Sequence, residues 1–262
     1  MNSTLLFLVD THAHLCSPEF DHDLGEVLAR ARAAGVGAVI AVGETLADAK
    51  RNLHLAEKFP MVRPAAGLYP SFLDCDQAEK MHTFIRSHRA QLAAIGEVGL
   101  DHWVVKEEKD RDVQREIFTG FIRLSKEIDL PLNVHSRSAG RQAVACLLES
   151  GAARVQLHAF DGKASAALPA VEAGYFFSIP PSVVRSRQKQ KLVKHLPLTC
   201  LLVETDSPVL GAEPAARNQP ANLPLAVQAI AGIKGIPEQQ VAEAVAANTV
   251  RLYGPLSRTS GE

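Results

Sequence analysis

The stretch Leu5-Leu6-Phe7-Leu8-Val9-Asp10-Thr11-His12-Ala13-His14 decides how this chain is read, because an apolar run gives way within a few residues to two histidines. Leu5 to Asp10 has the length and composition of a buried strand. It is too short for a membrane span or a signal-peptide core, and no basic residue precedes it. His12 and His14 directly follow the run, and their i, i+2 spacing projects both imidazoles to one side of an extended chain.

Working outward, the same kind of apolar run recurs at Val36 to Val42, Val62 to Gly67, Leu92 to Glu97, Leu132 to His135, Val155 to His158, Tyr175 to Ile179 and Cys200 to Glu204. Between the runs lie stretches with helical periodicity, such as Asp23 to Ala34 and Asp112 to Ile128. Gly35, Gly151 and Gly174 stand where a helix must end before the next strand, and supply the left-handed conformation that other residues resist. Strand and helix alternating in eight rounds predict a parallel α/β protein, a single (β/α)8 TIM barrel over residues 1–262. A barrel of about 250 residues is an ordinary single unit. Pro255 to Glu262 reads as a frayed tail, and Leu210 to Pro224 as a long, proline-bearing loop of the kind that carries function.

Composition narrows the functional classes. Apolar residues make up 47% of the chain, enough for a sizeable core. The 28 basic and 29 acidic side chains nearly cancel, so no global field draws the protein to nucleic acid or lipid, and a polyanion would need a local patch. The four cysteines are scattered without a C-x-x-C pair, which predicts a reducing, cytoplasmic setting. No membrane association and no obligate protein partner are expected.

Chemistry concentrates at the ends of the runs. Glu97 closes the fourth, His135 the fifth, His158 the sixth, and Asp206 follows the eighth. In a (β/α)8 barrel these ends share one rim, where such enzymes place their active sites. Any one of these residues could be a helix cap or a satisfied core histidine. Together they would bury unpaired charge at a cost of several kcal/mol each, which metal ions remove. The expected ligands are His12, His14, Glu97, His135, His158 and Asp206. Four histidines and two carboxylates exceed the needs of one tetrahedral ion, so two ions bridged by Glu97 are expected. Such donors favour zinc, with nickel, cobalt, manganese or magnesium also compatible.

Five ordered motifs, Asp10-Thr11-His12-Ala13-His14, Gly96-Glu97-Val98-Gly99-Leu100-Asp101, Val134-His135-Ser136-Arg137, Leu157-His158-Ala159-Phe160 and Glu204-Thr205-Asp206-Ser207-Pro208, resemble those of the TatD family of metal-dependent deoxyribonucleases. The likeness runs nearly the whole chain, including Arg217-Asn218-Gln219-Pro220 and the late Asn248 segment. It implies an amidohydrolase-type TIM barrel that hydrolyses phosphodiester bonds in DNA, often by trimming ends. His12, His14 and Asp206 would then hold one ion and His135 and His158 the other, with Glu97 between them. Asp206 would accept the proton of the attacking water. Tyr69, in Gly67-Leu68-Tyr69-Pro70, stands where the family commonly has histidine; His102 is a nearby loop histidine.

For substrate contacts, Ser136, Arg137 and Arg141 follow the fifth run, and Arg217 and Asn218 lie in the long loop. With Tyr69 they are the expected phosphate-binding residues, arginine through its planar donor fork. Arg185, Arg187, Lys189, Lys191 and Lys194 form a basic stretch that reads equally as a backbone-tracking patch and as a solvated helix face. Two other functions remain compatible with the same ligand set: an amidohydrolase or lactonase acting on a small molecule, and a metal-binding protein whose activity has decayed.

Overall fold

The computed structural model describes residues 7–256. Eight parallel strands pair in chain order: β1 (Leu8–Ala13), β2 (Val36–Ala41), β3 (Val62–Ala66), β4 (Ala94–Gly99), β5 (Leu132–His135), β6 (Val155–Leu157), β7 (Phe176–Ile179) and β8 (Leu201–Val203). Asp206 N donates to His12 O, and His14 N donates to Ser207 O. These bonds join β1 to the chain leaving β8 and bring the barrel round on itself. The helices α1 (Leu24–Ala33), α2 (Leu46–Lys58), α3 (Cys75–Ser87), α4 (Glu108–Ile128), α5 (Gly140–Glu149), α6 (Ala164–Glu172) and α7 (Arg187–His195) lie between successive strands; α8 (Leu223–Lys234) and α9 (Glu238–Tyr253) follow the last. This is the expected (β/α)8 TIM barrel.

Local chemistry explains the helix boundaries. Thr45 caps α2 with a reciprocal pair of hydrogen bonds to Asp48, and the Asp74 carboxylate accepts from the first amides of α3. Gly35, Gly151 and Gly174 adopt φ of 84°, 63° and 81° at helix ends, as their placement predicts.

The interior is layered. Val9, Ala38, Ile40, Ala65, Ala94, Phe176 and Leu202, near the strand starts, pack with Leu252, Tyr253 and Leu256 into an apolar floor. Leu256 is part of this floor rather than of a frayed tail, because its side chain is buried and its carbonyl accepts from Arg63; residues 257–262 lie outside the described residues. Above the floor sit the fully buried Thr11, Asn133, Gln156, Ser178 and Glu204. Gly99, at φ 146°, lets β4 approach β5 closely, since a Cβ there would stand 2.1 Å from His135 O.

Two strands differ from expectation in a way that matters. β1 begins at Leu8, with Leu5 and Leu6 outside the described residues, and runs on to Ala13; β4 runs from Ala94 to Gly99 rather than ending at Glu97. His12 is therefore a strand residue, and Glu97 lies within its strand rather than at its end. Counting apolar side chains stops too early because the mouth end of the barrel faces polar groups while its backbone still pairs.

Candidate metal centre

The strand register brings the six expected ligands to one place. Glu97, almost wholly buried, lies at its centre. Its Oε2 faces His12 Nε2 at 3.8 Å and His14 Nε2 at 3.4 Å. Its Oε1 faces His135 Nδ1 at 2.6 Å and His158 Nε2 at 2.9 Å. Asp206 Oδ1 stands 3.4 Å from both His12 Nε2 and His14 Nε2, which are 3.3 Å apart. Asp206 itself is held at φ 54°, the left-handed region, where its carboxylate meets both rings.

A tetrahedral metal with bonds of about 2.1 Å separates its ligands by about 3.4 Å, close to the distances of His12 and His14 from each other, from Glu97 and from Asp206. On the other side, the atoms of Glu97, His135 and His158 lie at hydrogen-bond distances, with 3.1 Å between the two rings.

Neighbouring groups fix which ring nitrogen faces the centre. Asn133 Oδ1 accepts from His12 Nδ1 at 2.8 Å, which turns Nε2 and its lone pair inward. Asn133 is oriented in turn by donating to Thr11 O and Tyr253 Oη. Asp101 Oδ2 accepts from His135 Nε2 at 3.0 Å, leaving Nδ1 for the centre, and also accepts from the Tyr69 hydroxyl at 3.0 Å. His158 stacks on His12 with ring centroids 3.9 Å apart, and its buried Nδ1 has no hydrogen-bond partner. Glu204 Oε2, 3.9 Å away, is the carboxylate nearest to it.

The electrostatics are those of a site built for cations. Burial opposes charge on His12 and His135, but the hydrogen bond to Asp206 and the field of Glu97 outweigh it at His12, and Glu97 and Asp101 at His135, raising them to about 10 and about 9. His158 goes the other way, to about 4, through burial and the nearby His12. Burial likewise opposes charge on Glu97 and Asp206; the surrounding histidines overcome it and hold both carboxyls well below their usual range. Asp10 and Glu204, fully buried behind the ligands, are pushed up to about 7, chiefly by burial.

A cavity of about 440 Å³ opens directly over these groups. Tyr69, Ser136 and Arg137 line it as expected. The buried Ser136 hydroxyl has no hydrogen-bond partner among the described residues, and Arg137 lies 5.1 Å from the ring centre of the exposed Trp103. Arg217 and Asn218 are not in the wall. Arg217 pairs with Asp23, donates to Glu19 O and lies over the Phe20 ring. Asn218 is buried and donates at 2.7 Å to Thr205 O and Val209 O, so it holds the loop that carries Asp206. Both belong to the scaffold because this part of the loop folds back on α1, and only its first residue, Leu210, lines the cavity. His102 is not among the lining side chains.

Sequence reasoning missed Glu44, Asp101, Lys189 and Glu204. Asp101 and Glu204 stand inside quoted motifs, and their signal was the motif itself. Glu44 follows β2 at the same rim, half-buried, its carboxyl raised by burial. Lys189 separates from the rest of its basic stretch: Arg185, Arg187, Lys191 and Lys194 are exposed, while Lys189 is buried and lines the cavity.

Residues 9–254 match the family model described as TatD related DNase. The chain belongs to this family. The human deoxyribonuclease TATDN3 is 43% identical over 264 residues, covering 95% of each chain. The uncharacterized metal-dependent hydrolase YabD of Bacillus subtilis is 33% identical over 94% of this chain and 98% of its own. Among solved structures, the TatD homologue YJJV of Escherichia coli superposes with a TM-score of 0.88 at 27% identity, covering 96% of this chain and 99% of that one. The TatD chain described here is thus a metal-dependent hydrolase, and its buried histidines and carboxylates form groups able to hold a divalent ion. None of its described helices is long and apolar enough to cross a membrane.

Proposed function

We propose that this protein hydrolyses phosphodiester bonds in DNA, using two divalent ions held on either side of Glu97. The observation that supports this most directly is the division of that carboxylate: one oxygen faces His12 and His14, the other His135 and His158, beneath an open cavity. His12, His14, Glu97 and Asp206 would hold one ion; Glu97, His135 and His158 the other. Zinc suits the histidine-rich donors best, with magnesium, manganese, nickel or cobalt compatible. When bound, such ions supply Lewis acidity toward a phosphoryl oxygen and lower the pKa of water from 15.7 toward about 7.

The chain's own groups supply the rest. Asp206 Oδ1, at the cavity floor, accepts the proton of the attacking water. The Ser136 hydroxyl donates to a non-bridging phosphate oxygen, and Arg137 offers its donor fork at the rim. Tyr69 keeps its proton, since burial and the charges of Glu97 and Asp101 push its hydroxyl further up, so it acts as a donor and not as an acid near neutrality. Trp103, 58% exposed beside Arg137, presents a ring on which an unpaired base can stack. The four unpaired cysteines accord with a reducing, cytoplasmic location.

The test is incubation of zinc- and magnesium-loaded protein with single-stranded DNA, a model phosphodiester and a panel of amides and lactones. DNA cleavage abolished by chelation and by Glu97→Ala is the expected result. Turnover of an amide or lactone with intact DNA would overturn the reading.

A further inference from the structure

Lys189 is the one member of its basic stretch that leaves solvent. It is 8% exposed, and Nζ donates to Ala159 O at 2.9 Å. An ammonium carries three donors, so two remain. Among the described residues no carboxylate oxygen comes within the 4.0 Å of an ion pair with it, although burying an unpaired charge is expensive. Burial lowers its pKa, and Glu204, Asp206 and Asp161 offset this only from greater distance. Its side chain lines the same cavity as Asp206 and His158, whereas Arg137 enters that cavity from the loop after β5.

The backbone holds the lysine in place. Ser186 caps α7 by accepting from Lys189 N, so the residue sits in the first turn of the helix. Gln188, beside it, donates to Gly162 O and Phe160 O and ties α7 to the loop after β6. Ala159, which receives the lysine, is itself held at φ 40° and donates its N–H to Glu204. A cation positioned this firmly, with spare donors toward an open cavity, is short of an anion.

We propose that Lys189 forms an anion subsite that binds a phosphate oxygen of the substrate, on the wall of the cavity supplied by β6 and α7. This rests on the phosphodiesterase reading for the identity of the substrate, but not for the presence of the subsite. The phosphate is either the reacting one or its neighbour along the strand; both offer the same charged oxygens. Lys189 thus binds and positions substrate, whereas the exposed lysines of α7 contribute only to the surface field.

The experiment uses zinc-loaded protein and inorganic phosphate as probe, followed by calorimetry, with zinc content measured in each variant. Lys189→Met weakens phosphate binding about tenfold to a hundredfold, the effect of one charge-assisted hydrogen bond, and Lys189→Arg restores most of it. Equal phosphate affinity in wild type and Lys189→Met overturns the proposal. So does loss of zinc in both variants, which would make the lysine a structural support. In kinetics, a raised KM for both an oligothymidylate and a single-phosphate diester assigns the reacting phosphate; a raised KM for the oligomer alone assigns the neighbouring one. Lys189-dependent phosphate binding by a wild-type protein that cleaves no DNA would sink the nuclease reading and leave the subsite standing.

Discussion

The two halves of the donor set are built from the same residue types but are held apart differently. Around Glu97 Oε2, His12 and His14 stand 3.3 Å from each other, 3.4 to 3.8 Å from the Glu97 carboxylate and 3.4 Å from Asp206, close to the spacing of ligands around an ion. Around Oε1, His135 and His158 close to 2.6 and 2.9 Å and hydrogen-bond to it directly. The cause lies behind the rings. Asn133 holds His12 through Nδ1 with Nε2 turned toward the centre, whereas Asp101 holds His135 through Nε2 with Nδ1 set directly on Glu97, and His158 Nδ1 has no partner among the described residues. One half is thus preorganised for a cation, and the other must exchange hydrogen bonds for metal bonds. If two ions bind as proposed, stepwise loading is expected, with the first bound more tightly than the second.

The two halves meet at Glu97. Glu97→Ala removes a ligand from each, and we expect it to lower kcat by more than about a thousandfold and to reduce metal content, since ligands that act as a unit fail together. Metal analysis together with single-turnover cleavage of DNA checks both. Full retention of either ion would show that the carboxylate does not bridge.

Asp206→Asn touches only the preorganised half. Loss of the proton acceptor predicts a fall in kcat of about a hundredfold to ten-thousandfold. At least one ion stays bound, because His135, His158 and Glu97 are untouched. Full activity with metal retained would remove Asp206 as base.

The halves also differ in their protons. In the metal-free protein at pH 7, His12 and His135, raised to about 10 and about 9, carry protons that ions must displace, whereas His158, lowered to about 4, does not. Loading at pH 7 should therefore release the protons of these two rings, with a further contribution from His14, which Asp206 and Glu97 raise against burial, readable by calorimetry in buffers of different ionisation enthalpy, and affinity should rise with pH. The sign for stability follows from the same shifts. The contribution of His12 and His135 to the metal-free fold is full below the unfolded value near 6.5 and is lost as pH rises through about 9 to 10. His158 contributes above 6.5 and loses that contribution as pH falls toward 4. Metal-free melting temperatures that keep rising from pH 7 to 10 would contradict the His12 and His135 assignment.

Away from the ions, Asn218→Ala separates scaffold from substrate contact. Its side-chain amide holds Thr205 O and Val209 O, so the substitution leaves buried carbonyls unpaired at about 1 to 3 kcal/mol of stability. The opposite pattern, unchanged melting with a raised KM, would return Asn218 to the phosphate site.

That residue also marks where sequence reading stops. The barrel and its six expected ligands were legible because five of the eight strands end at or within two residues of a titratable group, and strand ends of one barrel face one mouth whatever the loops do. Lys189 and Arg217 were not, since both are cations in basic or loop segments. Only the path of the backbone turns the first into the cavity and the second toward Asp23. Asp101 had the motif as its only signal, for a related reason. Its task is to orient His135, and an orienting carboxylate has no spacing rule of its own. Where β1 and β4 end was likewise hidden, because pairing continues through polar residues.

The smallest effect should come from Tyr69, on the half that is closed by hydrogen bonds. Its hydroxyl donates to Asp101 Oδ2, the same oxygen that accepts from His135 Nε2, and its ring meets the His135 ring edge-on with centroids 5.0 Å apart. Tyr69→Phe keeps the ring and removes one neutral donor, leaving Asp101 with its backbone partners at Trp103 and Val104. Loss of about 0.5 to 1.5 kcal/mol, or two- to tenfold in kcat/KM, is expected. Because the hydroxyl stays protonated, the pH–rate profile should keep its shape between pH 6 and about 10. A new ionisation in the wild type that disappears in Tyr69→Phe would mean that the tyrosine takes part in proton transfer, and the hydrogen-bonded half of the centre would then be catalytic in its own right.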